Sequence, residues 1–128
     1  AYARVVWGDG PRIIIVEPEA APALAASIRA GRSVITSGPV SDMGRLDCKA
    51  PSLIALKGLA RDADDFVTIS ETEGQAGADA AAGAGLPSTP SGAAGLAGLL
   101  AAGPGQLGQL GLSDPSRVLL ILSEGPEA

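Results

Sequence analysis

The chain has 128 residues, a net charge of −5, no histidine and one cysteine. The acid excess and the lack of a basic cluster argue against a nucleic-acid partner, because phosphates require patches of Lys and Arg. Without histidine, an ordinary zinc site and a Ser-His or Cys-His nucleophile pair are excluded within this sequence. The lone Cys48 rules out an internal disulfide and is typical of a reducing cytoplasm, where we place the protein. No apolar run reaches the roughly 18 residues of a membrane span.

Residues 1–128 are predicted to form one α/β unit, the C-terminal part of a longer protein. The length fits one domain. However, the sequence starts without Met, inside an apolar stretch typical of the middle of a helix, and it stops soon after Gly125-Pro126. One Phe, one Tyr and one Trp are also few for an independent core.

The first third of the chain predicts alternating helices and strands. Ile13–Val16 is a β-branched run and the clearest strand, ended by Glu17-Pro18 because proline cannot donate to a ladder. Gly8 and Gly31 follow apolar helical patterns and are typical helix stops. The predicted elements are a helix over 1–7, strands over 13–16 and 33–36, and a helix over 19–30.

The middle of the chain repeats this alternation after the irregular stretch 37–50. That stretch follows a strand and precedes a helix, which is where ligand-binding loops lie in α/β proteins. Ser70 and Glu73 have the spacing of a capping box, although Gly74 and Gly77 weaken the helix that follows. The predicted elements are a helix over 51–60, a strand over 66–69, a helix over 70–82 and a helix over 92–102.

The predicted helix over 92–102 has Ser91 as its N-cap and glycines at three-residue intervals along one side. Those glycines, Gly92, Gly95 and Gly98, allow another backbone to approach closely. Gly103-Pro104-Gly105 is predicted to end the helix, and 108–114 to be a surface connection.

Val118–Leu122 is five apolar residues without polar alternation, which predicts a strand buried on both faces. Ser123 follows it directly, and ligands of open α/β sheets bind beyond the carboxyl ends of strands. Ser123 is therefore a candidate ligand contact, with a plain solvated strand exit as the alternative. The whole alternation predicts an α/β fold with three layers, a mostly parallel sheet and helices on both faces.

Five segments in order resemble the diaminopropionate ammonia-lyases, which belong to the fold type II, tryptophan synthase β-like group of pyridoxal-phosphate enzymes. Threonine dehydratase, serine racemase and threonine synthase are related members of this group. The segments are 11–19 (PRIIIVEPE), 43–53 (MGRLDCKAPSL), 64–68 (DDFVT), 90–96 (PSGAAGL) and 116–125 (SRVLLILSEG).

The resemblance implies that Ser123, with Glu124 and Gly125, contacts pyridoxal phosphate, the hydroxyl of Ser123 facing the pyridine nitrogen. It also implies that the Schiff-base lysine and the phosphate loop lie upstream of this chain. The only lysines here, Lys49 and Lys57, lack the Phe-Lys or Asn-Lys context of that residue. We expect Lys57 on a solvated helix face and Lys49 near the rim of the cleft.

The resemblance assigns Met43, Gly44 and Arg45 to a loop on the substrate side, where the lyases usually read Met-Ala-Gly-Leu. Arg45 would either pair with a substrate carboxylate or, as we favour, form a salt bridge with Asp42 or Asp47. This departure from the lyase pattern puts the substrate in doubt more than the fold.

Thr89 and Ser91 lie where many relatives have a glutamate, and they are predicted on the substrate side, with helix capping as the alternative. Glu17 matches a strand-end glutamate that joins a cation site in the serine racemases. Ala23 stands where their second carboxylate would be, so no metal is predicted.

The leading hypothesis is a pyridoxal-phosphate lyase that eliminates ammonia from 2,3-diaminopropionate to give pyruvate, the chain alone being inactive. One alternative is a serine or threonine dehydratase, or a threonine synthase-like lyase. Another is a non-catalytic α/β binding or regulatory module. The resemblance suggests a homodimer, with a small amino acid as substrate and neither nucleic acid nor membrane as partner.

Overall fold

The computed structural model describes residues 1–126 and contains six helices and two strands in that part of the chain. In order they are α1 (Tyr2–Trp7), β1 (Ile14–Pro18), α2 (Ala23–Ala30), α3 (Leu53–Asp62), β2 (Asp65–Ile69), α4 (Glu71–Gly83), α5 (Ala94–Ala101) and α6 (Pro104–Gln109). No helix among these residues has the length and apolar character needed to cross a membrane.

The two strands pair in parallel, from Ile14 opposite Asp65 to Pro18 opposite Ile69. Asp64 fixes the start of this register, because its backbone N–H donates to Ile13 O at 2.9 Å and its carboxylate accepts from Ile13 N at 2.7 Å. The predicted α/β class with a parallel sheet is therefore confirmed.

The core lies where α5 packs between the sheet and α4. Met43, Ile69, Ala94 and Ala97 form its centre, all at most 5% exposed. Gly77 of α4 allows this packing, since a Cβ there would lie 2.6 Å from Ala97 Cβ. Small residues thus supply the close helix contact that the scarce aromatic residues do not.

Helix boundaries that depend on local chemistry form as predicted. Ser70 Oγ accepts from Glu73 N, and the Glu73 carboxylate accepts from Ser70 N at 2.7 Å, which completes the capping box. Gly8 and Gly31 end α1 and α2 with positive φ angles of 60° and 64°.

Two predicted strands are wrong for the described chain. Ser33–Thr36 is not in a ladder and is held by one backbone bond, from Thr36 N to Lys49 O at 2.8 Å. Val118–Leu122 has no partner strand among residues 1–126, and instead of being buried on both faces it exposes 47% of Val118 and 73% of Ile121. Strand identity depends on pairing, and neither stretch has a pairing partner within the described residues.

Three helix predictions also need correction. α2 begins at Ala23 rather than Glu19, because Ala21 N donates to Pro18 O and turns the chain first. α5 begins at Ala94, after a turn that includes Ser91, so Ser91 is not its N-cap. α6 begins at Pro104, where the preceding helix was predicted to end, and it reaches into the predicted connection, with Pro104 in its first turn.

Candidate functional site

A cleft of about 570 Å³ opens where the turn before α5 meets the loop that carries Met43. Its lining residues come from that loop, from the turn before α5 and from the C-terminal segment, and they are Asp42, Gly44, Arg45, Ser88, Thr89, Pro90, Ser91 and Pro126. The structure thus brings together Gly44, Arg45, Thr89 and Ser91, four of the residues predicted to be at the site.

Glu124 connects the C-terminal segment to this cleft through both its backbone and its side chain. Its backbone carbonyl accepts from Ser88 Oγ at 2.7 Å, and its Oε1 accepts from Thr89 Oγ1. Its Oε2 lies 3.3 Å from Arg45 Nε. Glu124 therefore holds three separate sequence stretches in one wall.

Arg45 is exposed to the cleft, with 74% of its side chain accessible. Arg45 forms a salt bridge, as we favoured, but the predicted partners were wrong, because the bridge is to Glu124 and not to Asp42 or Asp47. The Arg45 backbone N–H also donates to Ser91 Oγ at 3.2 Å, which fixes the loop against the turn before α5.

Gly92 is required where the turn before α5 meets the C-terminal segment. A Cβ at Gly92 would lie 2.3 Å from Ser88 Oγ and 2.8 Å from Glu124 Cγ. Thr89 Oγ1 accepts from Gly92 N at 3.0 Å, so Thr89 caps this turn in addition to contacting Glu124. The same Cβ would lie 3.0 Å from the backbone O of Glu124, so the predicted close approach of another backbone is confirmed at Gly92.

Ser123 lies at the exposed end of the apolar segment, beside the cleft but not among its lining residues. Its backbone N–H donates to Gly92 O at 3.3 Å. Its hydroxyl makes no hydrogen bond with residues 1–126, so that hydroxyl can serve a ligand. Its assignment as a cofactor contact, with Glu124 and Gly125, stays a prediction.

Met43 differs from its neighbours in the loop because it is fully buried, at 0% exposure, beneath the cleft. It packs on Gly74, where a Cβ would lie 2.9 Å from Met43 Sδ. Its side chain therefore supports this loop from beneath rather than lining the cleft.

Ser88, Asp42 and Glu71 also organise this region, although the sequence did not predict this role for them. The Glu71 carboxylate accepts from Ser41 Oγ at 2.7 Å and from Asp42 N at 2.9 Å, which ties the loop to the start of α4. The only signal for Glu71 was its place in the first turn of a capped helix.

The two lysines are both away from the cleft lining. Lys49 Nζ donates to the carbonyls of Ala20 and Pro39, at 2.8 and 2.7 Å, and pairs with the Asp47 carboxylate. The hydrogen bond from Lys49 is the main reason that the pKa of Asp47 lies below its usual value. Lys57 is exposed on α3, as predicted.

Glu17 has a structural role that accounts for its burial. Its two carboxylate oxygens accept from Leu24 N at 2.8 Å and from Ala25 N at 2.7 Å, at the start of α2. A carboxylate at a helix N-terminus satisfies unpaired N–H groups and the helix dipole. In the part of the chain that is described, no three His, Cys, Asp or Glu residues are grouped as a metal site would require.

The solved structures that share this fold include three enzymes. One is the diaminopropionate ammonia lyase of Escherichia coli, in complex with an aminoacrylate-PLP azomethine reaction intermediate. It has a TM-score of 0.77 and 27% identity over 97% of this chain and 34% of that one. Another is a threonine deaminase of T.th., with a TM-score of 0.70 and 23% identity over 77% of this chain and 36% of that one. A third is maize serine racemase, with a TM-score of 0.68 and 22% identity over 77% of this chain and 30% of that one.

The parallel sheet covered by helices is that of an α/β domain, and its solved neighbours are enzymes. The model of the pyridoxal-phosphate dependent enzyme family matches residues 1–124. The chain belongs to that family. It spans about a third of the length of the solved structures above, and a comparison with curated proteins gives no match.

Proposed function

We propose that this chain forms one wall of the active site in a pyridoxal-phosphate lyase that eliminates ammonia from 2,3-diaminopropionate to give pyruvate. The observation that carries the proposal is that the C-terminal segment is bound to the turn before α5, through Ser123 N and the Glu124 carboxylate, in a fold shared with the E. coli diaminopropionate lyase. Residues 1–128 would be the C-terminal part of the enzyme.

The residues at this wall fit the cofactor of the family. A pyridine nitrogen needs one small polar partner, and Ser123 offers an exposed hydroxyl that is not bonded within the described residues. When bound, pyridoxal phosphate withdraws electrons from the α-carbon of the amino acid. A neutral hydroxyl stabilises a charged pyridinium less than a carboxylate does, which suits the loss of a good leaving group.

The lysine that binds the cofactor aldehyde would come from outside this chain. Lys49 donates to the carbonyls of Ala20 and Pro39 and to the Asp47 carboxylate, and Lys57 lies on the exposed face of α3. We therefore expect the isolated chain to be inactive. We also propose, from the resemblance to the family, that the complete enzyme is a homodimer in the cytoplasm.

On the substrate side, Arg45, Thr89 and Ser91 would shape the part of the cleft that faces the amino acid. Thr89 and Arg45 both contact the Glu124 carboxylate, so this wall holds a negative group next to a positive one. A substrate with two amino groups and one carboxylate has charges of both signs, which such a pair can complement.

The test is a substrate panel on the full-length polypeptide that carries this chain, purified with pyridoxal phosphate. We expect 2,3-diaminopropionate to release pyruvate and ammonia, and to do so faster than serine or threonine releases a keto acid. Preferred release from serine or threonine would instead establish the dehydratase alternative. A full-length protein that neither binds the cofactor nor acts on any of the three would establish a non-catalytic module.

A further inference from the structure

Asp42 is the one acidic residue among the described residues that line the cleft. It is exposed, and its carboxylate makes neither a hydrogen bond nor a salt bridge with residues 1–126. Within the part of the chain that the structure describes, its negative charge therefore has no partner.

The basic side chains of the same loop are both paired with other carboxylates. Arg45 is only three residues after Asp42, but it pairs with Glu124. Lys49 pairs with Asp47 and donates to two backbone carbonyls. Because Glu124 balances the charge of Arg45, the guanidinium repels a bound cation less strongly. The charge of Asp42 is left uncompensated at the cleft.

The backbone of Asp42 is fixed by its neighbours on both sides. The Glu71 carboxylate accepts from Ser41 Oγ at 2.7 Å and from Asp42 N at 2.9 Å. Met43 N donates to Ser41 Oγ at 3.1 Å. Ser41 is 3% exposed and Met43 is fully buried, whereas Asp42 between them is exposed. The carboxylate is thus held at the cleft before a ligand binds, which lowers the ordering cost of binding.

The hydroxyl groups that line the cleft add further acceptors. Ser88 and Thr89 both donate their hydroxyl protons to Glu124. Ser91 Oγ accepts from Arg45 N at 3.2 Å. A hydroxyl oxygen has two lone pairs, so Ser88 and Thr89 can still accept a hydrogen bond after donating their protons. This arrangement favours a ligand group that donates several hydrogen bonds and carries positive charge.

We propose that Asp42 binds the side-chain ammonium group of the substrate and selects amino acids that carry a second amino group. An ammonium group has three donors, and hydrogen bonds between ionised partners are the strong ones. A serine or threonine substrate would bring a neutral hydroxyl to Asp42 instead. The inference rests on the proposed function, because it names the residue that recognises the β-amine of 2,3-diaminopropionate.

The experiment compares 2,3-diaminopropionate with 3-chloroalanine in the full-length protein purified with pyridoxal phosphate. Both compounds give pyruvate on elimination and share a carbon skeleton, but only the first has a side-chain ammonium group. The rate of pyruvate release is measured for the wild type, for Asp42→Asn and for Asp42→Glu, which keeps the charge. Asp9→Asn is the matched control, because Asp9 is also exposed and is not among the cleft-lining residues.

We expect Asp42→Asn to lower kcat/KM for 2,3-diaminopropionate by about tenfold or more, mainly through KM. Its kcat/KM for 3-chloroalanine should not change, and Asp42→Glu should retain more activity on 2,3-diaminopropionate than Asp42→Asn does. Asp9→Asn should match the wild type on both compounds. An equal loss on the two compounds, or no loss on either, would overturn the assignment of Asp42.

A wild-type protein that releases no pyruvate from 2,3-diaminopropionate would contradict the proposed function rather than the role of Asp42. Calorimetric titration of the same proteins with 2,3-diaminopropionate and with alanine, which lacks the second amino group, then tests that role directly. Asp42 predicts tighter binding of 2,3-diaminopropionate by the wild type and no such preference in Asp42→Asn. A wild type without the preference, or an Asp42→Asn protein that keeps it, would overturn the inference.

Discussion

Arg45 Nε lies 3.3 Å from Glu124 Oε2, and this ion pair joins the loop after Met43 to the C-terminal segment across the mouth of the cleft. Glu124 is only 26% exposed and also accepts from Thr89 Oγ1, whereas Arg45 is 74% exposed. The contact thus combines a fixed acceptor with a solvated donor.

This ion pair is expected to contribute little stability. Exposed pairs are typically worth about 0.2–1 kcal/mol because solvent screens the charges and the side chain loses entropy. A double-mutant cycle with Arg45→Gln and Glu124→Gln, measured by urea unfolding, should give a coupling energy in that range. Coupling above about 2 kcal/mol would mean that the pair is a buried structural bridge instead.

Gly77→Ala is expected to destabilise the protein, although alanine favours helices. Its Cβ would lie 2.6 Å from Ala97 Cβ and 2.9 Å from the Ala97 backbone, and overpacking of this kind costs about 1–3 kcal/mol.

Gly83→Ala in the same helix is the matched control, because nothing lies within 4 Å of its added methyl. It should be neutral or stabilising by up to about 1 kcal/mol. Thermal unfolding of the two variants checks this, and equal Tm values would contradict the packing of α4 on α5 at this point.

The stability that the ionised carboxylate of Asp64 contributes is expected to be lost in acid. The hydrogen bond from Ile13 N, and then the one from Arg4, lowers the pKa of Asp64 below its usual value. A carboxyl group with a lowered folded-state pKa stabilises the fold fully above its unfolded value of about 4. That stability is lost as pH falls through the folded value.

Asp64→Asn should therefore reduce the dependence of the unfolding free energy on pH between about pH 5 and pH 3. Urea unfolding at several pH values measures it. Asp9→Asn is the control, since Asp9 is exposed and its side chain makes no hydrogen bond with residues 1–126. Equal slopes for wild type and Asp64→Asn would refute the role of Asp64.

The sequence predicted those parts of the fold that depend on neighbouring residues. The Ser70 capping box, the stop at Gly31 and the β-branched start of β1 are all specified within a few residues. The helix α6 was missed because Pro104 was interpreted as a stop, although proline is equally suited to a first helical turn.

The parts that depend on distant residues could not be predicted in this way. Val118–Leu122 has the composition of a buried strand, but burial requires partner strands that residues 1–126 do not provide. Arg45 was assigned to nearby carboxylates, whereas its partner Glu124 is brought close only by the tertiary fold. Ser91 was predicted to cap α5, but its hydroxyl accepts from Arg45 N instead.

Ser123 is proposed to contact the pyridine ring of pyridoxal phosphate. The most direct test is titration of the full-length Ser123→Ala protein with pyridoxal phosphate, followed by its visible absorbance. Ser37→Ala is the control, because Ser37 is exposed and its hydroxyl makes no hydrogen bond with the described residues. Loss of one hydrogen bond predicts binding about 2- to 10-fold weaker and a shifted absorption band for Ser123→Ala alone. Unchanged affinity and spectrum in Ser123→Ala would contradict a contact between Ser123 and the cofactor.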